Sequence, residues 1–131
     1  RMERHIANTR QAVAHLVASE AVAGVAYPEL ENHPDHALAQ KLLPRGAGSV
    51  FSFTLKGGRP AGRKFIEALR VFSHLANVGD AKSLVIHPAS TTHSQMTDQE
   101  LLESGITPGT IRLSIGTEHV DDLIYELDQA L

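Results

Sequence analysis

The sequence contains no cysteine, and this absence excludes several kinds of chemistry at once. Disulfide bonds, thiolate nucleophiles and cysteine-based zinc sites all require that residue. An excess of positive charge is missing too, because the formal net charge is -3, which gives no general electrostatic footprint for nucleic acid. No apolar run is long enough to span a bilayer, and no signal peptide is visible. We therefore expect a cytoplasmic protein that binds neither membranes nor nucleic acid.

Familiar nucleotide, hydrolase and metal motifs are also absent. The glycines of Lys56–Arg63 match neither the GxxxxGK[ST] phosphate loop nor GxGxxG, so we interpret them as a tight strand-to-helix turn. No GxSxG nucleophile elbow and no HExxH zinc motif occurs. His33 and His36 form a close pair, but no third ligand stands at a fitting spacing, and no metal is expected. Without internal repeats, 131 residues of 42% hydrophobic content indicate one globular domain.

Strand-like alternation is the clearest positive signal. Ser49–Leu55 alternates Phe51, Phe53 and Leu55 with polar residues, which is typical of a half-buried strand. Three more short apolar segments are predicted to be strands: Ala21–Tyr27, Ser83–Ile86 and Ile111–Ile115. Pro88 ends the third of these four strands, because proline cannot donate to a ladder. Spacing alone leaves open whether the sheet is parallel.

Helical periodicity predicts five helices between and around these strands. The first, Met2–Ser19, should bury a stripe of Met2, Ile6, Val13, Leu16 and Val17 and leave His5 in solvent. The second, Asp35–Leu43, should be capped by Asp35, with its leucines inward: Leu38, Leu42 and Leu43. The third follows the glycine turn and should bury Phe65, Ile66, Leu69 and Phe72.

The last two helices carry recognisable terminal signals. Thr97–Ser104 begins with Thr97 and Glu100 at the spacing of a capping box, and Gly105 fits a glycine stop. Glu118–Leu131 places acidic residues in its first turn, where the helix dipole favours them. Its predicted inward stripe is Val120, Leu123, Ile124, Leu127 and Leu131.

Arg112 is the best single candidate for a binding residue. It projects from the polar side of the strand Ile111–Ile115, and a guanidinium suits a carboxylate through two parallel hydrogen bonds. A surface or salt-bridged arginine gives the same pattern. The hydroxyl-rich loop after Pro88 offers further donors and acceptors, although solvated turns share its composition. Lys82 could form a Schiff base, but a lone lysine in a glycine turn is more often a surface charge.

Four segments combine into motifs that are specific when taken together: Val25–Leu30 (VAYPEL), Gly46–Gly58 (GAGSVFSFTLKGG), Asn77–Ser94 (NVGDAKSLVIHPASTTHS) and Ile111–Glu118 (IRLSIGTE). In these segments the chain resembles the Cys/Met-metabolism enzymes that use pyridoxal phosphate. The resemblance covers essentially the whole chain and is greatest to the O-acetylhomoserine sulfhydrylases. Cystathionine γ-synthase and methionine γ-lyase stay open as alternatives, as does a non-catalytic α/β module that binds a partner or a small anion.

The resemblance implies that residues 1–131 are a single C-terminal substrate-binding domain, a fragment of a longer enzyme that is usually a tetramer. The implied fold is α/β, an α+β sandwich in which a small, mainly antiparallel four-stranded sheet lies under helices. The cofactor lysine would lie in the missing N-terminal domain, so no catalytic or cofactor-binding residue is expected here and the fragment alone should be inactive. Arg112, helped by Ser83, should bind the α-carboxylate of an amino-acid substrate, while Thr92 and His93 should lie in a loop of the pocket.

The same resemblance implies the reaction of the complete enzyme. Acetate at the γ carbon of O-acetylhomoserine would be replaced by sulfide or methanethiol, giving homocysteine or methionine, with pyridoxal phosphate as the electron sink. The expected contribution of this domain is to orient the substrate through its carboxylate.

Overall fold

The computed structural model describes residues 1–131, and all four predicted strands and five predicted helices are present. In chain order the elements are α1 Met2–Val17, β1 Val22–Ala26, α2 His36–Leu42, β2 Val50–Leu55, α3 Gly58–Ala68, β3 Leu84–Ile86, a 3₁₀ turn at Pro88–Ser90, α4 Asp98–Glu103, β4 Thr110–Ser114 and α5 Val120–Ala130. No strand end differs from the predicted one by more than one residue.

The four strands form one antiparallel sheet in the order β1-β2-β4-β3. β2 lies in the middle, where Phe53 is opposite Val25 on one side and Ile111 on the other. β3 is a three-residue edge strand that places Ile86 opposite Arg112. The pairing confirms the mainly antiparallel sheet that the family resemblance implied and answers the question that residue spacing left open.

One face of the sheet, called here the core face, is covered by α1, α3 and α5. Because side chains alternate along a strand, Phe51, Phe53 and Leu55 all point to this face and are buried there. Phe53 meets Phe65 of α3 edge to face, with ring centroids 5.5 Å apart. Other members of this core are Ala12, Val13, Leu16, Val85, Ile111, Leu113, Ile115, Leu123 and Leu127. Helices packed on a sheet in this way form the expected α+β sandwich.

The opposite face, called here the open face, is not covered by those three helices. The middle of the sheet presents polar, half-buried side chains on this face: Ser52, Thr54, Thr110 and Arg112. Next to β3 the segment Leu75–Asn77 lies against the sheet, and Leu84 and Ser114 are buried beneath it. The open face is therefore the side of the sheet on which a binding site can form.

α1 buries only part of the predicted stripe, because Val13 and Leu16 are buried but the two ends of the stripe are not. His5, expected in solvent, is fully buried, and its Nδ1 donates a hydrogen bond of 2.7 Å to the carbonyl oxygen of Ile115. Met2 and Val17, expected inside, are exposed, whereas Leu16 is buried as predicted. The ring is satisfied at Nδ1 and has no hydrogen-bond partner at Nε2, and apolar spacing alone cannot reveal the partner that brings it inside.

The prediction that α2 contributes leucines to the core is wrong. Leu38, Leu42 and Leu43 are 52%, 63% and 49% exposed, and Ala39 is the buried residue of this helix. Asp35 occupies the N-cap position, but its side chain makes no capping hydrogen bond. Apolar spacing identifies the side of a helix that could be buried, but it does not supply a neighbouring element to bury it against.

α3 and α4 differ in how well their ends were predicted. α3 ends at Ala68, so Phe72 is buried from the following loop and not from the same helix. At α4 the side-chain oxygen of Thr97 accepts a hydrogen bond from the backbone N–H of Glu100, and Gly105 follows with a φ of 84°. The N-cap role of Thr97 and the glycine stop of α4 are thus confirmed, whereas the Glu100 side chain does not return the second bond that a capping box requires.

α5 begins at Val120, two residues after the predicted start at Glu118. The Nδ1 of His119 caps the helix by accepting a hydrogen bond from the backbone N–H of Asp121. Because Glu118 lies outside the helix, its carboxylate is not one of the acidic groups of the first turn. It accepts a hydrogen bond from the hydroxyl of Ser83 instead.

Candidate functional site

Arg112 lies on β4, in the middle of the open face. Its neighbours across the ladder are Ser52 and Ile86. The guanidinium donates one long hydrogen bond of 3.4 Å, from Nη2 to the carbonyl oxygen of Asn77, and no carboxylate lies within salt-bridge distance of it. This geometry disfavours a salt-bridged arginine and leaves most of the five N–H donors available to a ligand.

An open cavity of about 610 Å³ extends from Arg112 across the sheet. The sheet contributes its floor, the turn after β1 contributes one side, and two loops after β3 contribute the remaining walls. Residues of these walls include Pro28, His33, Pro88, Thr92, His93 and Ile106. A mainly apolar surface with one cation and a few hydroxyl and imidazole groups can hold a small molecule that carries a single carboxylate.

Thr92 and His93 lie in the wall of this cavity, in the loop where the resemblance placed them. The hydroxyl of Thr92 is 2.8 Å from the Nδ1 of His93, and the backbone N–H of His93 donates to the carbonyl oxygen of Pro88. Arg112, Thr92 and His93 therefore line one cavity, although they come from two separated segments of the chain.

Ser83 does not line this cavity. Strand alternation turns it to the side of the sheet opposite Arg112, and it is fully buried. Its hydroxyl donates to one carboxylate oxygen of Glu118 and accepts from the backbone N–H of Gly116, while its own backbone N–H donates to the other oxygen of Glu118; all three bonds are 2.8 Å. The expectation that Ser83 sits in the same pocket as Arg112 is corrected accordingly.

His87 ties together two walls of the cavity, and the sequence analysis missed it. It follows β3 and is almost fully buried. Its Nε2 is 2.6 Å from the carbonyl oxygen of Pro108, and its Nδ1 is 2.9 Å from the hydroxyl of Ser90. Burial lowers the pKa of His87, the positive charges of Arg59 and Arg63 and the ring of His74 lower it further, and the bond to Pro108 opposes them. A histidine placed between a buried strand and a proline was the signal that could have found it.

Glu29 organises the turn that enters the cavity from β1. Its carboxylate accepts hydrogen bonds from the Tyr27 hydroxyl, the Arg10 guanidinium and the backbone N–H of Ala47. Burial raises the pKa of Glu29, but these three bonds outweigh burial and hold that pKa below its ordinary value. Burial and the neighbouring carboxylate raise the pKa of Tyr27. The carboxylate thus fixes the chain on both sides of Pro28.

His33 and His36 use their ring nitrogens within the same turn. The Nδ1 of His33 accepts from the backbone N–H of Asp35, and the Nδ1 of His36 is 3.0 Å from the carbonyl oxygen of Pro28. No three histidine, aspartate or glutamate side chains come together in a way that could hold a metal ion. No helix is both long and apolar enough to cross a membrane.

The four lysines of the chain are all exposed, and none lines the cavity that contains Arg112: Lys41, Lys56, Lys64 and Lys82. A covalently held pyridoxal phosphate needs a lysine inside its site. No lysine of this chain is therefore placed to hold that cofactor covalently in the cavity, although the cavity can receive a carboxylate.

Two solved structures with the same architecture define the class of protein. The chain superimposes on a putative O-acetylhomoserine (thiol)-lyase from Campylobacter jejuni, solved with N′-pyridoxyl-lysine-5′-monophosphate, with a TM-score of 0.91 and 43% identity over 99% of this chain and 31% of that one. It also superimposes on cystathionine γ-synthase from Xanthomonas oryzae pv. oryzae, with a TM-score of 0.90 and 38% identity. That match covers 99% of this chain and 33% of the synthase chain. The class is a domain of fold-type I pyridoxal-phosphate enzymes.

Residues 1–131 match the model of the Cys/Met metabolism PLP-dependent enzymes, and the chain belongs to that family. It is 50% identical over its full length to O-acetyl-L-homoserine sulfhydrylase 1 of Thermus thermophilus and to homocysteine synthase of Schizosaccharomyces pombe. It is 43% identical to L-methionine gamma-lyase of Fusobacterium nucleatum. The chain spans 31%, 30% and 33% of these three relatives, about a third of their length. The resemblance seen in the motifs is therefore confirmed at the level of the family.

Proposed function

We propose that residues 1–131 are the C-terminal substrate-binding domain of a pyridoxal-phosphate-dependent O-acetylhomoserine sulfhydrylase. The complete enzyme would replace acetate by sulfide or methanethiol and release homocysteine or methionine. The two relatives at 50% identity, one named for that activity and the other a homocysteine synthase, support this member of the family. The cofactor would supply the electron sink and would be held by residues outside this chain.

The observation that carries the proposal is the guanidinium of Arg112 on the floor of the cavity, which has no carboxylate partner. An arginine without a carboxylate partner retains its charge for an incoming anion, and its planar fork matches the two oxygens of an α-carboxylate. The long contact with the carbonyl oxygen of Asn77 is weak enough to be exchanged for that ligand. This domain would thus orient the substrate, and bonds would be made and broken elsewhere in the enzyme.

Three other residues would support this binding step. Thr92 and His93 would line the side of the pocket that receives the substrate. Ser83 would act indirectly. It directly precedes β3, and its bonds to Glu118 and Gly116 hold the start of that strand beside the segment that follows β4. The predicted direct contact between Ser83 and the carboxylate would require those bonds to break.

Arg112→Lys in the complete enzyme tests the proposal. Lysine keeps the charge but loses the two parallel hydrogen bonds, so we expect kcat/KM for O-acetylhomoserine to fall tenfold or more, as the loss of one charge-assisted bond of about 1.5–3 kcal/mol predicts. The midpoint of thermal unfolding should not change, because the Arg112 side chain makes only one long hydrogen bond to the rest of the chain.

Arg70→Lys is the matched control, because Arg70 is an exposed arginine whose side chain makes no hydrogen bond or ion pair in the structure. It should leave both kcat/KM and the thermal midpoint at the wild-type values. Unchanged kcat/KM in Arg112→Lys would refute the carboxylate role. A large fall of the thermal midpoint in that variant would instead indicate a structural arginine.

A methionine γ-lyase is the second candidate, since relatives of that name are 43% identical to this chain. Turnover of O-acetylhomoserine, methionine and cystathionine by the same enzyme preparation separates the members of the family. Preference for O-acetylhomoserine with sulfide supports the sulfhydrylase, and preference for methionine alone supports the lyase. By resemblance we also expect a homotetramer, which sedimentation of the complete enzyme can measure.

A further inference from the structure

We infer that His87 is a positioning residue for substrate binding: its ring holds two walls of the Arg112 cavity in register by bonding one wall at each nitrogen. The inference rests on the proposed function, since it assigns the cavity to the substrate. It concerns a residue that does not itself line the cavity, and it adds to the proposal a reason for the shape of the site.

The two walls are separate segments of chain. The first is the loop after β3, which contributes Pro88, Thr92 and His93 to the cavity; the second is the turn before β4, which contributes Gly105, Ile106 and Thr110. α4 lies between them in the sequence. Each wall has its own local hydrogen bonds, such as those between Thr107 and Thr110, but such bonds do not fix one wall relative to the other.

The ring of His87 makes that connection. A carbonyl oxygen only accepts, so Nε2 must carry the proton and donate to Pro108 in the second wall. Nδ1 is then free to accept from the hydroxyl of Ser90 in the first wall. The backbone carbonyl of His87 accepts a further bond from the hydroxyl of Thr91. The neutral ring with its proton on Nε2 therefore bonds the carbonyl oxygen of Pro108 and the hydroxyl of Ser90 at the same time.

Gly62 of α3 fixes the ring from the side away from the cavity. A Cβ atom added at Gly62 would lie 2.6 Å from Nε2 and 2.9 Å from two ring carbons of His87. Real Cβ contacts are essentially never so short, so any side chain at Gly62 would displace the ring. The ring is thus held by packing as well as by its two hydrogen bonds, as a residue that transmits position requires.

Three variants of the complete enzyme test the inference. His87→Asn can meet Ser90 but cannot reach Pro108, and we expect it to raise KM for O-acetylhomoserine at least about tenfold with kcat within about threefold, as a displaced positioning group would. His87→Gln carries an amide donor at the position of Nε2 and should restore KM to within about threefold of wild type. Ser90→Ala removes one hydroxyl with little risk to folding and should raise KM by an intermediate factor.

His5→Gln is the matched control, because His5 is also a buried histidine bonded to a backbone carbonyl, but its bond to Ile115 joins α1 to the end of β4 and connects no walls of the cavity. It should lower the thermal midpoint and leave KM unchanged. KM of His87→Asn within about twofold of wild type, or the same rise of KM in His5→Gln, would overturn the inference.

Hydrogen–deuterium exchange followed by mass spectrometry gives a readout without turnover. Amides of both walls, 88–96 and 105–110, should exchange faster in His87→Asn than in wild type and should keep wild-type rates in His5→Gln. Faster exchange in one wall only would also contradict the inference. If Arg112→Lys leaves KM unchanged while both walls loosen in His87→Asn, the proposed function fails and the connection between the walls stands.

Discussion

The two faces of the sheet differ in what their side chains do. On the core face Phe51, Phe53 and Leu55 are buried against three helices, whereas on the open face the intervening Ser52 and Thr54 are half-buried and their side chains make no hydrogen bonds. These five residues are consecutive in one strand, so a residue of the core face and a residue of the open face are always direct neighbours in the chain. The fold depends on one set and leaves the other set available for binding.

This division teaches that stability and recognition can be altered separately in this domain. Substitutions on the core face remove packing, which costs free energy of unfolding whether or not a ligand is bound. Substitutions of the polar, half-buried residues in the middle of the open face, Ser52, Thr54 and Arg112, remove groups that the fold does not use, so their effects should show in binding.

The largest effect is expected from Phe53→Ala. The ring is fully buried and meets Phe65 edge to face, so its removal should lower the free energy of unfolding by about 3–5 kcal/mol, measured by denaturant titration of the chain. Ser52→Ala, one residue away on the open face, should change it by no more than about 0.5 kcal/mol. Similar losses in the two variants would break the comparison.

Ser83→Ala should be the next most destabilising. The substitution leaves the N–H of Gly116 and one oxygen of Glu118 without their partner, at a cost of about 1–3 kcal/mol. Denaturant titration measures the loss, and kcat/KM of the complete enzyme measures any role in binding. If kcat/KM falls while the free energy of unfolding is unchanged, the result would instead support a direct contact between Ser83 and the substrate carboxylate.

A smaller effect is expected from the protonation of His87. Because its pKa in the folded chain lies below the ordinary value, the unfolded chain takes up the proton first as the pH falls. The stability that the neutral ring contributes is complete above the unfolded pKa and decreases as the pH falls through the folded one. The stability difference between wild type and His87→Gln should therefore narrow between about pH 7.5 and about pH 5.5. A constant difference over that range contradicts the prediction.

The smallest effect on folding is expected from Arg112→Ala. The side chain makes one long hydrogen bond and no ion pair, so the free energy of unfolding should stay within about 0.5 kcal/mol of wild type. Calorimetry of the chain measures this directly. A loss above about 1 kcal/mol would mean that Arg112 supports the fold, and the separation of the two faces would not extend to this residue.

The sequence predicted the elements well and the contacts between distant elements poorly. The alternation of Phe51, Phe53 and Leu55 identified β2 and its buried side, because period-2 patterning reports burial directly. The pattern of Leu38, Leu42 and Leu43 identified a helix but not its surroundings. Local periodicity constrains the backbone, whereas packing depends on which elements meet.

The candidate site shows the same limit. Strand patterning and the family motifs placed Arg112 on the polar side of β4. They did not predict that Ser83 turns away from it toward Glu118, or that His87 bonds a carbonyl oxygen 21 positions along the chain. The two members of such a pair are far apart in the sequence, and no regular spacing links them. The pairs can be recognised only once the fold has brought their members together.

The bond between His87 and Pro108 also closes a loop. The chain leaves the sheet after β3, makes an excursion that contains α4, and returns beside its starting point before β4. Closing a flexible loop becomes only slightly costlier as the loop grows, by about 0.6 kcal/mol for each doubling of its length. The excursion is anchored at α4 by the buried Leu101 and by the ion pair of Asp98 with Arg59. Ser94 and Gln95 before it are exposed, however, and the chain can therefore lengthen there with little penalty while its two ends stay fixed beside the sheet. The domain thus provides a position where new chain can be inserted next to a binding cavity without rebuilding the fold around it.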